Sequence, residues 1–539
     1  MSTHAIIASL RYPLVRTRPN AFSSKGVVSS SSIQSSLVGS RILENGGNVA
    51  DAAIATSAVL CVTQNNLCGL GGDLFALIRM NGHPIVDLNG SGRASRNANI
   101  DYFRSKGFEN LPARGENAAL TVPGIVDAWR IINKKFGTME FKELLAPAIK
   151  IANEGVPVTH HYHGSIKATL PSLGAYAWGE NFAPGGRIPE VGSIFKQRDL
   201  ANTLTLIASD GPDSYYRGNL ADKIIEGIEG MGVLLDSEDF RKHTSTMGEP
   251  LHTTYRDYDI YETSPNSQGA TTLLWLNLFK LVHDGSNHGS ERWFKNALET
   301  GLLAYSQRNL HIADPTERPL PDGFCSVAYA EKLLNESDSK AIMSGQRIDP
   351  GDTTYFTLAD GDGNSLSVIQ SNYMGFGSGI MPKGTGFVLQ NRGAYFSLDP
   401  QHHNALKPGK RTFHTLCAAM AEKDGEFQFS AGTMGGDIQP QIHFQMITSL
   451  VDAGLDPQLT LDKPRWAFPF TIYEKPGDLK AEESLYRLIS KYRKLPFKIQ
   501  EVEDMSSHFG HAQIVLRNQF GVVEGGSDPR GDGVSVGII

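Results

Sequence analysis

The segment that most constrains the fold of this 539-residue chain is VADAAIATSAVLCVT, from Val49 to Thr63. It is rich in alanine and has so little polar surface that a helix built from it must be buried and packed closely on its neighbours. The preceding stretch, Ser32 to Glu44, carries apolar residues at helical spacing and stops at Gly46-Gly47. A helix ending at those glycines is expected there, directly before the buried one.

Helices and strands are mixed along the rest of the chain, with no internal repeat. Phe75 to Leu88 is interrupted at Asn81-Gly82, which is typical of a two-residue hairpin turn between strands. Residues 190–345 look mostly helical, strands return at 353, and a helix near 441–453 precedes short strands at 511–523. This mixture of helices and antiparallel hairpins predicts an α+β fold in which helices cover layered sheets.

Composition and charge exclude several functional classes. With 50 Lys and Arg against 57 Asp and Glu, and no dense basic run interleaved with aromatics, the chain lacks the electrostatic pattern of a nucleic-acid binder. No run of eighteen apolar residues and no signal-type N-terminal stretch occur, so we expect no membrane partner and a cytoplasmic location. The four cysteines show no metal-type spacing, and we expect neither a metal ion nor a cofactor.

Two motifs suggest ligand sites that the surrounding sequence disfavours. His160-His161-Tyr162-His163 resembles a metal site, but contiguous histidines in a strand or loop point in different directions and no carboxylate follows at a ligand spacing. A surface or packing role is the simpler interpretation. GLGGD, from Gly69 to Asp73, resembles a dinucleotide-binding loop, yet it follows a helix and precedes a strand, the reverse of the required order. We interpret it as a tight turn near the site.

A third motif, GTMGG from Gly432 to Gly436, joins a strand to a helix that starts near Pro440. Free backbone N–H groups converge there beside the positive end of a helix dipole, which favours an anion site. The alternative is a turn whose glycines only satisfy the backbone geometry. If the loop is functional, Gly435 and Gly436 direct their amides at a developing oxyanion.

The stretch PGDTTYFTLADGDGNSLSVIQS, from Pro350 to Ser371, offers a nucleophile. The chain has no Ser/His/Asp or Cys/His set and no Gly-x-Ser-x-Gly elbow. A threonine hydroxyl at a chain terminus carries its own base, because an α-amino group has a pKa near 8. Thr353 would gain that amine if it attacked the carbonyl of Asp352 and broke the chain there. Asp352 should then tolerate replacement, since its side chain leaves with the first fragment.

The sequence as a whole resembles the gamma-glutamyltransferase (gamma-glutamyltranspeptidase) family of N-terminal nucleophile hydrolases. The matching stretches span nearly the whole chain and include GGNVADAAIATSAVLCVTQNNLCGLGGDLFAL, SPNSQGATTLLWLN, DTTYFTLADGDGNSLSVIQSNYMGFGSG and GTMGGDIQPQ. The resemblance implies a four-layer αββα sandwich made as one precursor. It also implies a cut before Thr353 into a large subunit, residues 1–352, and a small catalytic subunit, residues 353–539, which stay together as one composite domain.

The resemblance also implies the catalytic roles. Thr353 Oγ is the nucleophile and forms an acyl-enzyme that water or an amine resolves. Ser371 matches the family's second threonine, which hydrogen-bonds the nucleophile, so a hydroxyl is retained. Gly435 and Gly436 match the oxyanion glycines.

Six positions that match the family's substrate-binding residues depart from its pattern. Where the family holds an α-carboxylate with an arginine this chain has Asn89, and the two assisting serines match His414 and Thr415. Where the family surrounds an α-ammonium with an asparagine, a glutamine or glutamate, and an aspartate, this chain has Tyr373, Arg392 and Tyr395. An arginine repels an ammonium and pairs with a carboxylate. The pattern therefore resembles the acylase-like branch of the family.

These residues predict an autoprocessing amide hydrolase or acyltransferase that deacylates gamma-glutamyl or glutaryl-like amides. Its expected partners are a small-molecule amide and a water or amine acceptor. An ordinary glutathione hydrolase or gamma-glutamyl transpeptidase is an alternative, with recognition supplied by other loops. A second alternative is an uncleaved, non-catalytic binding protein.

Overall fold

The structure, a computed structural model, describes residues 14–336, 352–468, 478–493, 495 and 497–539. The α-helices are α1 Ile33–Glu44, α2 Val49–Thr63, α3 Ile100–Ser105, α4 Ile125–Phe136, α5 Phe141–Glu154, α6 His160–Leu173, α7 Ala177–Phe182, α8 Arg198–Asp210, α9 Ser214–Arg217, α10 Asn219–Glu226, α11 Ser237–Lys242, α12 Ala270–Val282, α13 Glu291–His311, α14 Val327–Glu336, α15 Gln439–Val451, α16 Pro457–Asp462 and α17 Glu483–Ile489.

The strands are β1 Ala21–Ser23, β2 Gly26–Ser30, β3 Asp73–Arg79, β4 Val86–Gly90, β5 Val156–Pro157, β6 Ile194–Phe195, β7 Thr246–Gly248, β8 Leu251–Tyr255, β9 Tyr258–Glu262, β10 Asp352–Asp360, β11 Ser365–Tyr373, β12 Ala419–Lys423, β13 Glu426–Thr433, β14 Trp466–Ala467, β15 Leu479–Glu482, β16 Ile499–Val502, β17 Ala512–Arg517, β18 Val523–Ser527 and β19 Val534–Gly537.

Two seven-stranded antiparallel sheets form the centre of the molecule. The first has the order β1-β18-β17-β13-β12-β9-β8, and the second β19-β2-β10-β11-β3-β4-β7. Both sheets combine strands from before and after residue 352. Strand β10, for example, pairs with β2 on one side and with β11 on the other. A chain cut before Thr353 would therefore stay together through the hydrogen bonds of both sheets.

Helices cover the outer face of each sheet and give the αββα order. Helix α2 is buried along its length and packs on β10 and β11, together with α1, α4 and α5. It begins with a capping box, in which Asn48 accepts from the Asp51 amide and Asp51 accepts from the Asn48 amide. Helices α12, α13 and α15 cover the other sheet through a second core. The predicted α+β sandwich is confirmed.

The interface between the two sheets is unusually polar. Ser29 Oγ donates to Gln513 Oε1 at 2.7 Å, and the hydroxyls of Thr357 and Ser430 lie 2.5 Å apart. Each pair joins one strand of each sheet, and all four residues are buried. Such hydrogen bonds fix the sheets at one register, because a slip would leave buried hydroxyls unpaired.

Several expectations from the sequence need correction. The turn at Asn81-Gly82 is longer than two residues, because the last β3–β4 pair is Ile78 with Val86. The region expected to be mostly helical also contributes β7, β8 and β9 to the sheets. The histidine run lies in helix α6 and not in a strand or loop. Within the described residues, no helix is both long enough and apolar enough to cross a lipid bilayer.

Candidate active site

Thr353 lies at the start of β10, where its hydroxyl contacts the carbonyl group of the preceding residue. Thr353 Oγ1 lies 2.7 Å from the Asp352 carbonyl oxygen and 3.3 Å from Ser371 Oγ. Ser371 Oγ donates to the same carbonyl oxygen at 2.6 Å. Thr353 and Ser371 are buried. We call these three residues the nucleophile end of the site.

The backbone beside the nucleophile is irregular. Asp352 pairs with Tyr373, but the register shifts before Thr354, so Thr353 lies in a bulge of the β10–β11 ladder. Tyr373 adopts a φ of 78°, a region that costs a bulky L-residue free energy. In that conformation its amide donates to Ser371 Oγ at 2.7 Å. The strained residue thus orients the hydroxyl that contacts the Asp352 carbonyl.

The two predicted oxyanion glycines follow β13. Gly435 and Gly436 have φ values of 132° and 57°, a region that glycine adopts without a Cβ penalty. Among the described residues, none accepts a hydrogen bond from either amide. The loop continues through a 3₁₀ turn, Gly436–Ile438, into α15. Unpaired amides at a helix N-terminus suit an anion, which agrees with the interpretation as an oxyanion loop.

Three buried polar residues that the sequence reasoning missed hold this loop. Gln268 Nε2 donates to the carbonyl oxygens of Gly436 and Thr415, at 2.9 and 2.7 Å. Arg308 Nη1 donates to Gln268 Oε1 at 2.8 Å and to Asp437 Oδ1 at 3.0 Å. Gln268 belongs to the SPNSQG stretch that matched the family, so that motif was the available signal. Nothing in the sequence around Arg308 pointed to the loop.

The other end of the site is formed by Arg392, Tyr373 and Thr415, which we call the recognition end. Arg392 is buried, and its guanidinium lies 4.2 Å from the centre of the Tyr373 ring. Arg392 Nη1 donates to Thr415 Oγ1 at 2.9 Å, whereas Nε and Nη2 have no hydrogen-bond partner among the described residues. Burial lowers the pKa of Arg392, and nearby acidic groups oppose that shift. Two unpaired donors on a buried cation suit a carboxylate.

Tyr395 connects the recognition end to the oxyanion loop. Its hydroxyl donates to Asp437, at 2.6 and 2.7 Å from the two carboxylate oxygens, and its ring centre lies 5.4 Å from that of Tyr373. Burial raises the pKa of Asp437, while Arg308 lowers it. The Tyr395 hydroxyl is therefore already hydrogen-bonded to Asp437 within the protein.

Asn89 and His414 are near this cluster but engaged elsewhere. Asn89 Nδ2 donates to Asn266 Oδ1 at 2.9 Å, and Asn89 Oδ1 accepts from Ser91. His414 Nε2 lies 3.0 Å from Asp73 Oδ2, and both residues are fully buried. Burial raises the pKa of Asp73 to about 7 and lowers that of His414. A direct substrate contact for Asn89 or His414 stays a prediction.

The structure also describes the other motifs that the sequence singled out. Gly72 packs so closely that a Cβ there would lie 2.4 Å from the Ser371 carbonyl oxygen, as expected for a tight turn beside the site. In the histidine run, His163 Nδ1 contacts the Pro189 carbonyl oxygen at 2.8 Å. Among the described residues, the group with metal-type donors is instead Glu262, Cys417 and His443. There His443 Nδ1 already bonds Glu262 Oε1 at 2.7 Å.

Comparison with known proteins agrees with this geometry. The family model described as gamma-glutamyltranspeptidase matches residues 35–538. The chain is 36% identical over 520 residues to the glutathione hydrolase-like YwrD proenzyme of Bacillus subtilis. That alignment covers 95% of this chain and 98% of the relative. It is 34% identical over 506 residues to the oxamate amidohydrolase proenzyme of Klebsiella pneumoniae, covering 92% and 95% respectively.

A solved structure shares the same architecture. The crystal structure of a cephalosporin acylase from Bacillus halodurans superposes with a TM-score of 0.89 at 36% sequence identity. The alignment covers 98% of both chains. The likeness therefore includes both sheets and both helical layers.

Proposed function

The chain belongs to the gamma-glutamyltranspeptidase family, and from that premise we propose that it is an autoprocessing amide hydrolase whose nucleophile is Thr353. The observation that carries the proposal is the pair of hydroxyls on the Asp352 carbonyl, Thr353 Oγ1 at 2.7 Å and Ser371 Oγ at 2.6 Å. A hydroxyl this close to the carbonyl group of the preceding residue supports an attack on the peptide bond between them. The products are a large subunit of residues 1–352 and a small subunit of residues 353–539.

Self-cleavage proceeds by a shift of the acyl group. Thr353 Oγ1 bonds to the Asp352 carbonyl carbon, and the negative charge that develops on the carbonyl oxygen is stabilised by Ser371 Oγ. The C–N bond then breaks, the hydroxyl proton passes to the freed amine, and water hydrolyses the resulting ester. The outcome is a free α-amine on Thr353 and a carboxylate on Asp352.

In the cut enzyme the same hydroxyl serves turnover. The Thr353 α-amine, with a pKa near 8, takes the hydroxyl proton as Oγ1 attacks the substrate carbonyl. The Gly435 and Gly436 amides receive the oxyanion, and each such donor contributes roughly 3 kcal/mol to transition-state stabilisation. Release of the amine leaves an acyl-enzyme, which water or another amine resolves.

Recognition follows from Arg392. Its two unpaired donors and its buried charge favour an acyl group that ends in a carboxylate and disfavour an ammonium at the same place. Similar proteins named oxamate amidohydrolase and cephalosporin acylase support a substrate range beyond glutathione. We therefore assign glutaryl-like and other carboxylate-bearing amides as the preferred class.

The test compares glutaryl and gamma-glutamyl anilides, with oxamate as a short carboxylate-bearing amide. We expect a higher kcat/KM for the glutaryl compound than for the gamma-glutamyl compound. A clear preference for gamma-glutamyl would overturn the specificity assignment and leave the mechanism intact. That result would favour the alternative of an ordinary glutathione hydrolase, for which the relative named glutathione hydrolase-like is the supporting observation.

A further inference from the structure

The side chain of Asp352, the residue before the nucleophile, lies against the turn that follows β11. A Cβ added to Gly375 would lie 2.8 Å from Asp352 Oδ2. A side chain at position 375 would therefore collide with the carboxylate. Glycine leaves open the space that the carboxylate occupies, so the turn and the side chain fit one another.

Arg114 attaches to the same turn. Its Nη2 donates to the Gly375 carbonyl oxygen at 3.0 Å, and the neighbouring Gly115 amide donates to the Ser378 carbonyl oxygen at 2.9 Å. Burial raises the pKa of Asp352 to about 6, while the Arg114 charge and the Gly375 amide lower it. The carboxylate thus lies against Gly375, and the guanidinium binds the Gly375 carbonyl oxygen.

We infer that the Asp352 side chain is a positioning group for self-cleavage, an inference that rests on the cut before Thr353 proposed above. Its close fit against Gly375, whose carbonyl oxygen is bound by Arg114, limits rotation of residue 352 within the bulge. The Asp352 carbonyl oxygen is thereby kept beside Ser371 Oγ and Thr353 Oγ1, where the attack begins. The sequence alone gave the opposite expectation, because it does not show that the departing side chain has partners.

The test follows the rate of cleavage after synthesis in a cell-free translation reaction, with fragments separated on a denaturing gel. Asp352→Asn and Arg114→Met should each slow cleavage about tenfold, because each removes one of the two charged groups that lie at Gly375. The double variant should be no slower than the slower single variant, since the two side chains act as one unit. Arg114→Lys should recover part of the rate by restoring the charge.

Two controls separate positioning from folding. Asp360→Asn alters a carboxylate at the far end of β10, where Asp360 binds Asn364 in the hairpin turn, and should cleave at the unaltered rate. The Asp352 and Arg114 substitutions are also placed in a Thr353→Ala background that cannot cleave. Thermal unfolding there should show the same Tm as Thr353→Ala alone.

The outcomes distinguish this inference from the proposed function. Unaltered rates in the Asp352 and Arg114 variants, with normal cutting before Thr353, would overturn the positioning role alone. Slow cleavage with a Tm lowered in parallel, or additive effects in the double variant, would overturn it too. An unsubstituted chain that stays continuous would remove the proposed function as well.

Discussion

The two ends of the site differ in how completely their polar groups are paired. At the nucleophile end, the Asp352 carbonyl oxygen contacts two hydroxyls, and Ser371 Oγ accepts from the Tyr373 amide. At the recognition end, two guanidinium donors of buried Arg392 have no partner within the described part of the chain. At the first end, a peptide carbonyl of the chain itself contacts the candidate nucleophile. At the second end, the two guanidinium donors are available to a substrate carboxylate.

The proposed reaction therefore depends on the nucleophile end, and the proposed choice of substrate depends on the recognition end. The nucleophile end keeps hydroxyls at the two positions that match the family pattern, and the Asp352 carbonyl of the intact chain lies against them. At the recognition end, Arg392 and Tyr373 match positions where the family pattern predicts residues that hold an ammonium. A buried cation with free donors is costly until an anion binds. Variants at the two ends should therefore have different signatures.

The largest effect is expected from Thr353→Ala. It should abolish self-cleavage and lower kcat by at least about four orders of magnitude, because one hydroxyl serves both steps. The measurement is a denaturing gel together with hydrolysis of glutaryl anilide. Thr353→Ser is the matched control, since it keeps the hydroxyl and should still be cut. A normally cut Thr353→Ala protein would mean that a separate protease does the processing.

Arg308→Met should make the position of the Gly435–Gly436 loop less fixed, while the groups proposed to contact the substrate stay unchanged. Loss of Arg308 removes one hydrogen-bond partner from Gln268 Oε1 and one from Asp437 Oδ1. The resulting small displacement of the loop should lower kcat about a hundredfold with little change in KM. Arg308→Lys keeps the charge and should lose less. Steady-state kinetics on the cut enzyme measures both constants. An effect confined to KM would place Arg308 at the recognition end instead.

Arg392→Met should act on substrate choice alone. The kcat/KM for glutaryl anilide should fall about thirtyfold, the value of a charge-assisted hydrogen-bond pair, and that for gamma-glutamyl anilide should not fall. Butyryl anilide, which has no carboxylate, is the control and should react at the same rate in both proteins. Equal losses on all three compounds would indicate a structural role for Arg392.

The pH dependence should also differ between the two ends. As pH rises toward 8, kcat should increase because the Thr353 amine loses its proton. Asp73, with a pKa raised to about 7 by burial, gains negative charge over the same range and lies close enough to Arg392 to interact with it. The KM for glutaryl anilide should therefore rise about threefold above pH 7. Asp73→Asn should remove that rise in KM. A KM that falls as pH rises above 7 would contradict the predicted effect of Asp73.

Local patterns predicted the helices best and the sheet edges worst. Val49 to Thr63 forms a helix with those bounds. Its alanine-rich, apolar composition was enough to predict a buried helix. The strands β7 to β9 escaped notice because they lie among helices and their pairing partners are distant in sequence. Short edge strands owe their conformation to those partners, and periodicity within five residues does not reveal them.

Candidate site residues could be proposed from the sequence where a single residue would carry the chemistry. Thr353, Ser371 and the glycine pair followed from chemistry or from the family pattern, and the structure brings Thr353 and Ser371 together. Arg308 and Asp73 were missed because their importance depends on partners in other elements, Asp437 for the first and His414 for the second. Buried polar networks are specified by tertiary contacts, so spacing along the chain does not indicate them.

The intact mass of the purified protein tests the central claim most directly. Self-cleavage by Thr353 predicts two chains, residues 1–352 and residues 353–539, with a free threonine at the start of the second. A single continuous chain that still hydrolyses amides would leave Thr353 without its amine. That result would contradict the account.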